Sequence, residues 1–297
     1  MKSAELLKRY QQGERNFSKF NLSRFMFYEV DLKEVNFSGA NLSYANLSGS
    51  DLSDADLSGA NLSEADLCGT NLENANCQGA DFRNAELIGD CHGINTNYSY
   101  ADFRGDALDQ GIIEKSNFTG ANFTGSFISQ YSFIDCDFTA ANFSYSRLSE
   151  VSFDNCNLTN VDFSGASLGF GFRSSTLNNV SFQKATFDIS NPRYYDEIEK
   201  WSNVDFTRTV FYFGRYSQLT IPKSVNASQV IVIREGSDLS GLDLSECNLE
   251  NLDLSEVNLT NTNLTRAKLP EDSLESMSVI CCNTILPDGS IYSNVDE

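Results

Sequence analysis

The stretch ANLSYANLSGSDLSDADLSGANLSEADL, residues 40–67, repeats itself every five positions. Leu42, Leu47, Leu52, Leu57, Leu62 and Leu67 mark the period. Two residues before each stands a small side chain, such as Ala40, Ala45, Ser50, Ala55, Ala60 or Ala65, and between the two stands Asn or Asp. An α-helix cannot use this pattern, because five residues advance about 500° and successive leucines would share no face. A long strand cannot either, because an odd period sends alternate leucines to opposite sides. The apolar positions instead recur in steps of two and three. A step of two is a short extended segment whose middle Asn or Asp points outward, and a step of three is a corner.

Four such corners close a square coil of 20 residues, and stacked coils can pair their backbones at about 4.8 Å. The reading is a four-sided β-solenoid. Working outward from 40–67, the same register holds from Phe17 to Leu87, broken only by Cys77. It resumes from Phe103 to Leu168, then in shorter runs at Leu177–Phe187, Phe206–Phe211 and Leu239–Leu269. Together these 41 cells cover 205 of 297 residues. Gly39, Gly49, Gly59, Gly69, Gly79 and Gly89 each fall two after a central residue, in one cell of two. That spacing predicts type II turns with glycine at the positive-φ position on opposite sides of the square. Residues 20 apart should stack, giving a Phe103–Phe123–Phe143–Phe163 ladder and an aliphatic one through Leu108, Ile128, Leu148 and Leu168.

The pattern A(D/N)LXX resembles the pentapeptide-repeat family. The resemblance implies an all-β, right-handed quadrilateral β-helix with the central Leu or Phe and the preceding small residue inside. The ends, LLKRYQQGERNF (6–17) and ILPDGS (285–290), look most like cyanobacterial members, including the type implicated in heterocyst differentiation. The register breaks at 88–102, 169–176, 188–203 and 212–238 depart from the family pattern.

One continuous solenoid is expected, divided into an N-terminal cap (1–16), regular coils (17–87), looser coils (88–187), insertions and irregular coils (188–238), acidic repeats (239–269) and a C-terminal cap and tail (270–297). A solenoid must protect its open coil edges. Ser3 is expected to cap a helix over 4–11 whose Leu6, Leu7 and Tyr10 cover the first coil. Pro270 opens a second short helical stretch, PEDSLESM, and Asn191-Pro192 opens a third, in which Tyr194, Ile198 and Trp201 share a face. Segment 212–238, with the apolar run Val230–Ile233, reads as a loop plus one irregular coil wall.

Composition narrows the function. With 41 acidic and 21 basic residues the net charge is -20, which disfavours direct binding to nucleic-acid phosphates. His92 is the only histidine, so multi-histidine metal sites and most catalytic triads are absent. No apolar run approaches the roughly 18–20 residues of a membrane helix. The N-terminus lacks a secretory apolar core, so a soluble, cytoplasmic protein with no membrane contact is expected. Eight irregularly spaced cysteines suit free thiols in a reducing compartment. Cys77, Cys136, Cys156 and Cys247 occupy inward slots. Cys281-Cys282 lies outside the clean register, and Cys91-His92 lacks a third group for a catalytic dyad. The outward Asp31, Asp51, Asp56 and Asp66 suggest calcium, but short polar side chains bonding to turns explain them. No catalytic, cofactor or metal site is expected.

What remains is a rigid, non-enzymatic rod acting as a protein–protein interaction or regulatory scaffold for another protein. Glu246, Glu250, Asp253 and Glu256, with the aromatic Tyr194 and Trp201, are the candidate partner contacts. The resemblance also implies an alternative, a DNA-mimicking member that binds a type II topoisomerase. Charge runs against it: residues 1–33 carry seven basic and four acidic side chains, whereas 235–297 carry two basic and 13 acidic. A mimic needs acid along its whole length. The C-terminus, with Pro287 and Gly289, also lacks the apolar helix by which such members resemble dimers.

Overall fold

The computed structural model describes residues 2–88, 93–105, 107–188, 203–213, 230–234, 236–250, 252–270, 274 and 278–294. Its backbone winds into a parallel β-solenoid. In the first coils, single bridges join residues 20 apart in four columns: Asn16–Asn36–Asp56–Asn76, Asn21–Asn41–Asn61–Asp81, Met26–Asn46–Asp66–Glu86 and Asp31–Asp51–Asn71. Four columns are the four walls. Each cell bonds to the next coil through its central N–H and middle-slot carbonyl, as in Leu42 N–H to Asn61 O at 2.7 Å. The corner closes through Ala45 N–H to Leu42 O at 3.0 Å, with Tyr44 at φ 58°.

That last angle corrects the glycine expectation. Gly39, Gly49, Gly59, Gly69 and Gly79 do take φ of 62–66°, but Glu34, Tyr44, Asp54, Glu64, Asn74 and Asn84 take 56–60° at the same cell position. All four corners are therefore positive-φ turns. The closed coil imposes the conformation, and glycine only lowers its cost, which for other residues is about 1–2 kcal/mol.

The core is the expected one. Phe82, Phe103, Phe123, Phe143, Phe163, Phe182 and Phe206 stack in one file at centroid spacings of 4.9, 4.7, 4.5, 5.1, 5.2 and 5.6 Å. Tyr98, Phe118 and Phe138 form a second file at 4.8 and 4.7 Å. Leu108, Ile128, Leu148 and Leu168 are all buried. Cys77, Cys136, Cys156 and Cys247 are buried free thiols. Burial pushes the Cys77 thiol well above its ordinary range and Cys247 to about 11, and a hydrogen bond with Cys136 together with burial raises Cys156.

From residue 86 one wall becomes a continuous parallel sheet, which in its eight-residue strands turns the positive-φ corner at Gln110 (φ 56°), Gln130 (φ 50°) and Glu150 (φ 54°) onto the neighbouring wall. Its strands are β1 (Glu86–Ile88), β2 (Gly93–Ile94), β3 (Ala107–Glu114), β4 (Phe127–Ile134), β5 (Arg147–Asp154), β6 (Ser167–Arg173), β7 (Thr186–Asp188), β8 (Thr209–Tyr212) and β9 (Val230–Ile233). The order is β1-β3-β4-β5-β6-β7-β8-β9, with β2 also on β3. Where the sequence register breaks, the coil length changes: Asn76 lies over Asn97, Asp162 over Ser181 and Ser181 over Asp205. The chain then forms further coils, Asp238–Asn258–Ile280 and Asp243–Asn263–Ile285, closed by the hairpin β10 (Thr284–Ile285) and β11 (Ile291–Tyr292). Cys281 is buried there, and Leu259 N–H bonds Ile280 O at 2.8 Å, so the Cys281 segment is a further coil entered after a two-residue slip.

The N-terminal helix, α1 (Ser3–Gln11), buries Leu6 against the first coil with Leu7 and Tyr10 beside it. Ser3 is not its cap. Lys2 holds that position, and the Ser3 hydroxyl instead accepts Met26 N–H at 3.2 Å. Met26 is on the first coil, where no preceding coil offers a carbonyl, so Ser3 caps the solenoid edge instead of the helix. The expected helix at 191–201, most of PEDSLESM, residues 214–229 of the expected loop, Cys91 and His92 lie outside the described residues.

Candidate functional site

The acidic repeats present a polar wall built from one recurring unit. The middle-slot oxygen accepts the N–H two residues on, as in Ser240 to Asp238 (3.0 Å), Ser245 to Asp243 (3.0 Å) and Ser255 to Asp253 (2.9 Å). Asn side chains then link coil to coil: Asn258 donates to Asp238 at 3.0 Å and Asn263 to Asp243 at 3.1 Å. Bonds from Ser240 and Asn258 hold the Asp238 carboxyl below its usual range.

The four acidic candidates do not share one face. Glu246 and Glu256 both occupy positive-φ corners, at φ 62° and 64°, two cells apart. On a four-sided coil that places them at opposite corners. Glu250 is half-buried, while Asp253 and Glu256 are exposed. Glu246 is engaged within the molecule: its carboxylate binds Lys184 Nζ and lies 3.8 Å from Arg266. Lys184 and Arg266 hold its carboxyl below the ordinary glutamate value. Tyr194 and Trp201 lie outside the described residues.

Lys184 and Arg208 are the residues the sequence reading missed. Arg208 binds the Ser245 carbonyl at 2.9 Å, the Asp243 carbonyl at 3.0 Å and the Asp243 carboxylate at 3.3 Å. Beside them the Thr186 hydroxyl donates to Asn248 O, and Asn248 Nδ2 donates to Gly165 O at 3.4 Å. The acidic repeats are thus clamped to the outer side of the main solenoid. The apolar side chains agree: Phe211 and Phe213 join the main core, whereas Val210, Tyr212 and Ile233 join a second core with Leu239, Leu244 and Leu249. Alternation along β8 sends its side chains to two cores. A signal existed in the unbroken run Thr209-Val210-Phe211-Tyr212-Phe213, since a strand apolar on both faces is covered on both.

A family model described as Pentapeptide repeats matches residues 21–59, 50–89 and 235–270, and one described as Pentapeptide repeat region matches 114–187. No curated protein matches. Among solved structures, the chain is similar to HetL, a pentapeptide repeat protein involved in heterocyst differentiation regulation from the cyanobacterium Nostoc sp. strain PCC 7120. Identity is 25%, covering 98% of this chain and 100% of that one, with a TM-score of 0.38. A second Nostoc pentapeptide repeat protein is 33% identical over 38% of this chain and 81% of its own, with a TM-score of 0.22. A trypsin-treated form of QnrB1, a plasmid-mediated fluoroquinolone resistance protein, is 19% identical over 65% of this chain and 85% of its own, with a TM-score of 0.36.

Proposed function

From the premise that this chain belongs to the pentapeptide-repeat family, we propose that it is a non-enzymatic rigid scaffold whose outer walls bind another protein. The observation that carries this reading is the ordering of those walls. Outward side chains are fixed before any partner arrives, by Asn41 to Asn21 at 3.3 Å, Asn46 to Asp66 at 3.1 Å, Asn157 to Asp137 at 3.2 Å and Asn258 to Asp238 at 3.0 Å. A partner then loses little side-chain entropy on its scaffold's side, which is the advantage of preorganisation. The buried free thiols suit a reducing cytoplasm. Among the described residues no helix is long and apolar enough to cross a membrane.

The second reading, a topoisomerase-binding DNA mimic, is favoured only by net charge, and the charge is polarised towards 235–297. Two assays separate them. A DNA-gyrase supercoiling reaction should be neither inhibited nor protected by micromolar protein, and either effect would establish the mimic instead. Affinity capture should recover a partner whose binding weakens about tenfold or more when Glu250, Asp253 and Glu256 become Gln or Asn. Salt should reproduce the loss, because exposed charges act over only about 8–10 Å at physiological ionic strength.

A further inference from the structure

Stacking coils place outward side chains directly over one another, and like charges so placed repel. Among the described residues three acid-on-acid bridges occur: Asp31 with Asp51, Asp81 with Asp102, and Asp66 with Glu86. The first two are neutralised by a cation two residues after the first acid. Lys33 sits 3.1 Å from Asp51. Arg83 sits 2.7 Å from Asp81 and 3.8 Å from Asp102, and Arg104 adds a 2.7 Å pair to Asp102. At the third bridge that same position is Cys68, and no described basic side chain pairs with Asp66 or Glu86.

A thiol cannot neutralise two carboxylates, but it can help them hold something that does. Sγ of Cys68 and carboxylate oxygens of Asp66 and Glu86 lie within 4.8 Å of one another. Cys68 and Asp66 are half-buried and Glu86 is exposed, so an ion can reach all three. The carboxylate of Asp66 is already aimed, since Oδ1 accepts Cys68 N–H at 3.1 Å and Oδ2 accepts Asn46 Nδ2 at 3.1 Å. Two departures from the repeat meet here. Cys68 replaces the Ser found at 43, 48, 53, 58 and 63, and Glu86 replaces the Asn or Asp of the middle slot.

We propose that Asp66, Cys68 and Glu86 form a surface site for a thiophilic divalent cation, with Zn²⁺ the fitting ion. Zn–S and Zn–O bonds of about 2.3 and 2.0–2.2 Å bring tetrahedral donors to roughly 3.3–3.7 Å apart, so the three side chains need close by only about 1 Å. One thiolate and two carboxylates leave a fourth position for water. The thiolate selects Zn²⁺ over Ca²⁺ or Mg²⁺, which prefer oxygen alone. On binding, Cys68 releases its proton to solvent and the ion takes the charge-neutralising place held by Lys33 and Arg83 at the other two bridges. This departs from the expectation that the outward aspartates serve turns alone.

The repeat itself supplies the control, because Cys68→Ser and Glu86→Asn restore its consensus and leave the coil intact. Metal-free full-length protein titrated with Co²⁺ should show a thiolate-to-cobalt charge-transfer band that saturates at one ion per chain, and Zn²⁺ should displace it. Cys68→Ser should abolish the band with an unchanged metal-free melting temperature. Glu86→Asn should weaken Zn²⁺ binding at least about tenfold, and Zn²⁺ should raise the melting temperature of the wild type only. The proposal is overturned if Cys68→Ser binds Zn²⁺ as tightly as wild type, if Cys282→Ser removes the band instead, or if Ca²⁺ competes equally with Zn²⁺.

Discussion

At the scale of a single residue, position within the five-residue cell decides everything. Phe123 is buried between Phe103 at 4.7 Å and Phe143 at 4.5 Å. Thr124, the next residue, is half-buried on the wall, its hydroxyl bonded to Asn122 Oδ1 at 2.6 Å. Phe123→Asp loses the ring's burial and places a carboxylate among aromatic rings, and removal of such a ring alone costs about 3–5 kcal/mol. Thr124→Asp gives up the hydroxyl's donation to Asn122 Oδ1, a loss of about 0.5–1.5 kcal/mol, but leaves the core untouched, so its cost should stay near that figure. Thermal melts should place Phe123→Asp far below Thr124→Asp. Equal melting temperatures would show that the inward register is wrong.

The element that carries most is α1, because it closes an edge that would otherwise be open. Leu6 is fully buried, Tyr10 OH donates to Lys33 O at 3.0 Å, and Arg9 lies over Phe17 and Phe20 at 5.5 and 5.7 Å. Deleting residues 2–12 uncovers Phe17, Phe20 and Met26 N–H together. The truncated protein should self-associate edge to edge, seen as a concentration-dependent rise in scattering mass. A monodisperse truncated species would mean that α1 does not protect the edge. The helix was legible from its Leu6, Leu7 and Tyr10 face, and the coil from its inward steps of two and three. Ser3 was not, because the N–H that it satisfies belongs to Met26, 23 residues away. Corner conformation was also hidden: Tyr44 and Glu64 adopt the glycine conformation with no local sign of it, since the closed square imposes it from outside. Of the candidate site, the acidic composition of 239–269 was legible. The opposite corners of Glu246 and Glu256 follow from the same five-residue period once four walls are counted. The engagement of Glu246 was not legible, because Lys184 is 62 residues away and on a different coil stack.

For the whole molecule, the main solenoid and the acidic repeats are joined through a mixed polar and apolar contact, and its polar half is ionic. Lys184 holds Glu246, and Arg208 spans Asp243 and Ser245. Burial alone would raise the Asp243 carboxyl, but bonds from Ser245 and the charge of Arg208 bring it below its ordinary value, and Lys184 does the same for Glu246. Depressed carboxyls stabilise the folded state above their unfolded pKa, and the contribution disappears as pH falls through the folded value. The window is therefore acidic, below about pH 4. Lys184→Met with Arg208→Met should let amides of 238–270 exchange faster at neutral pH, by a factor on the order of five, while those of 107–154 stay unchanged. Lowering the pH of the wild type through that window should reproduce the selective loosening, and little further change should then appear in the double variant. Hydrogen exchange that speeds up equally in both regions would show that the clamp stabilises the solenoid as a whole, not the seating of its acidic repeats. A selective response would show that the ionic clamp holds the acidic repeats in their seat without contributing to the coils of 107–154.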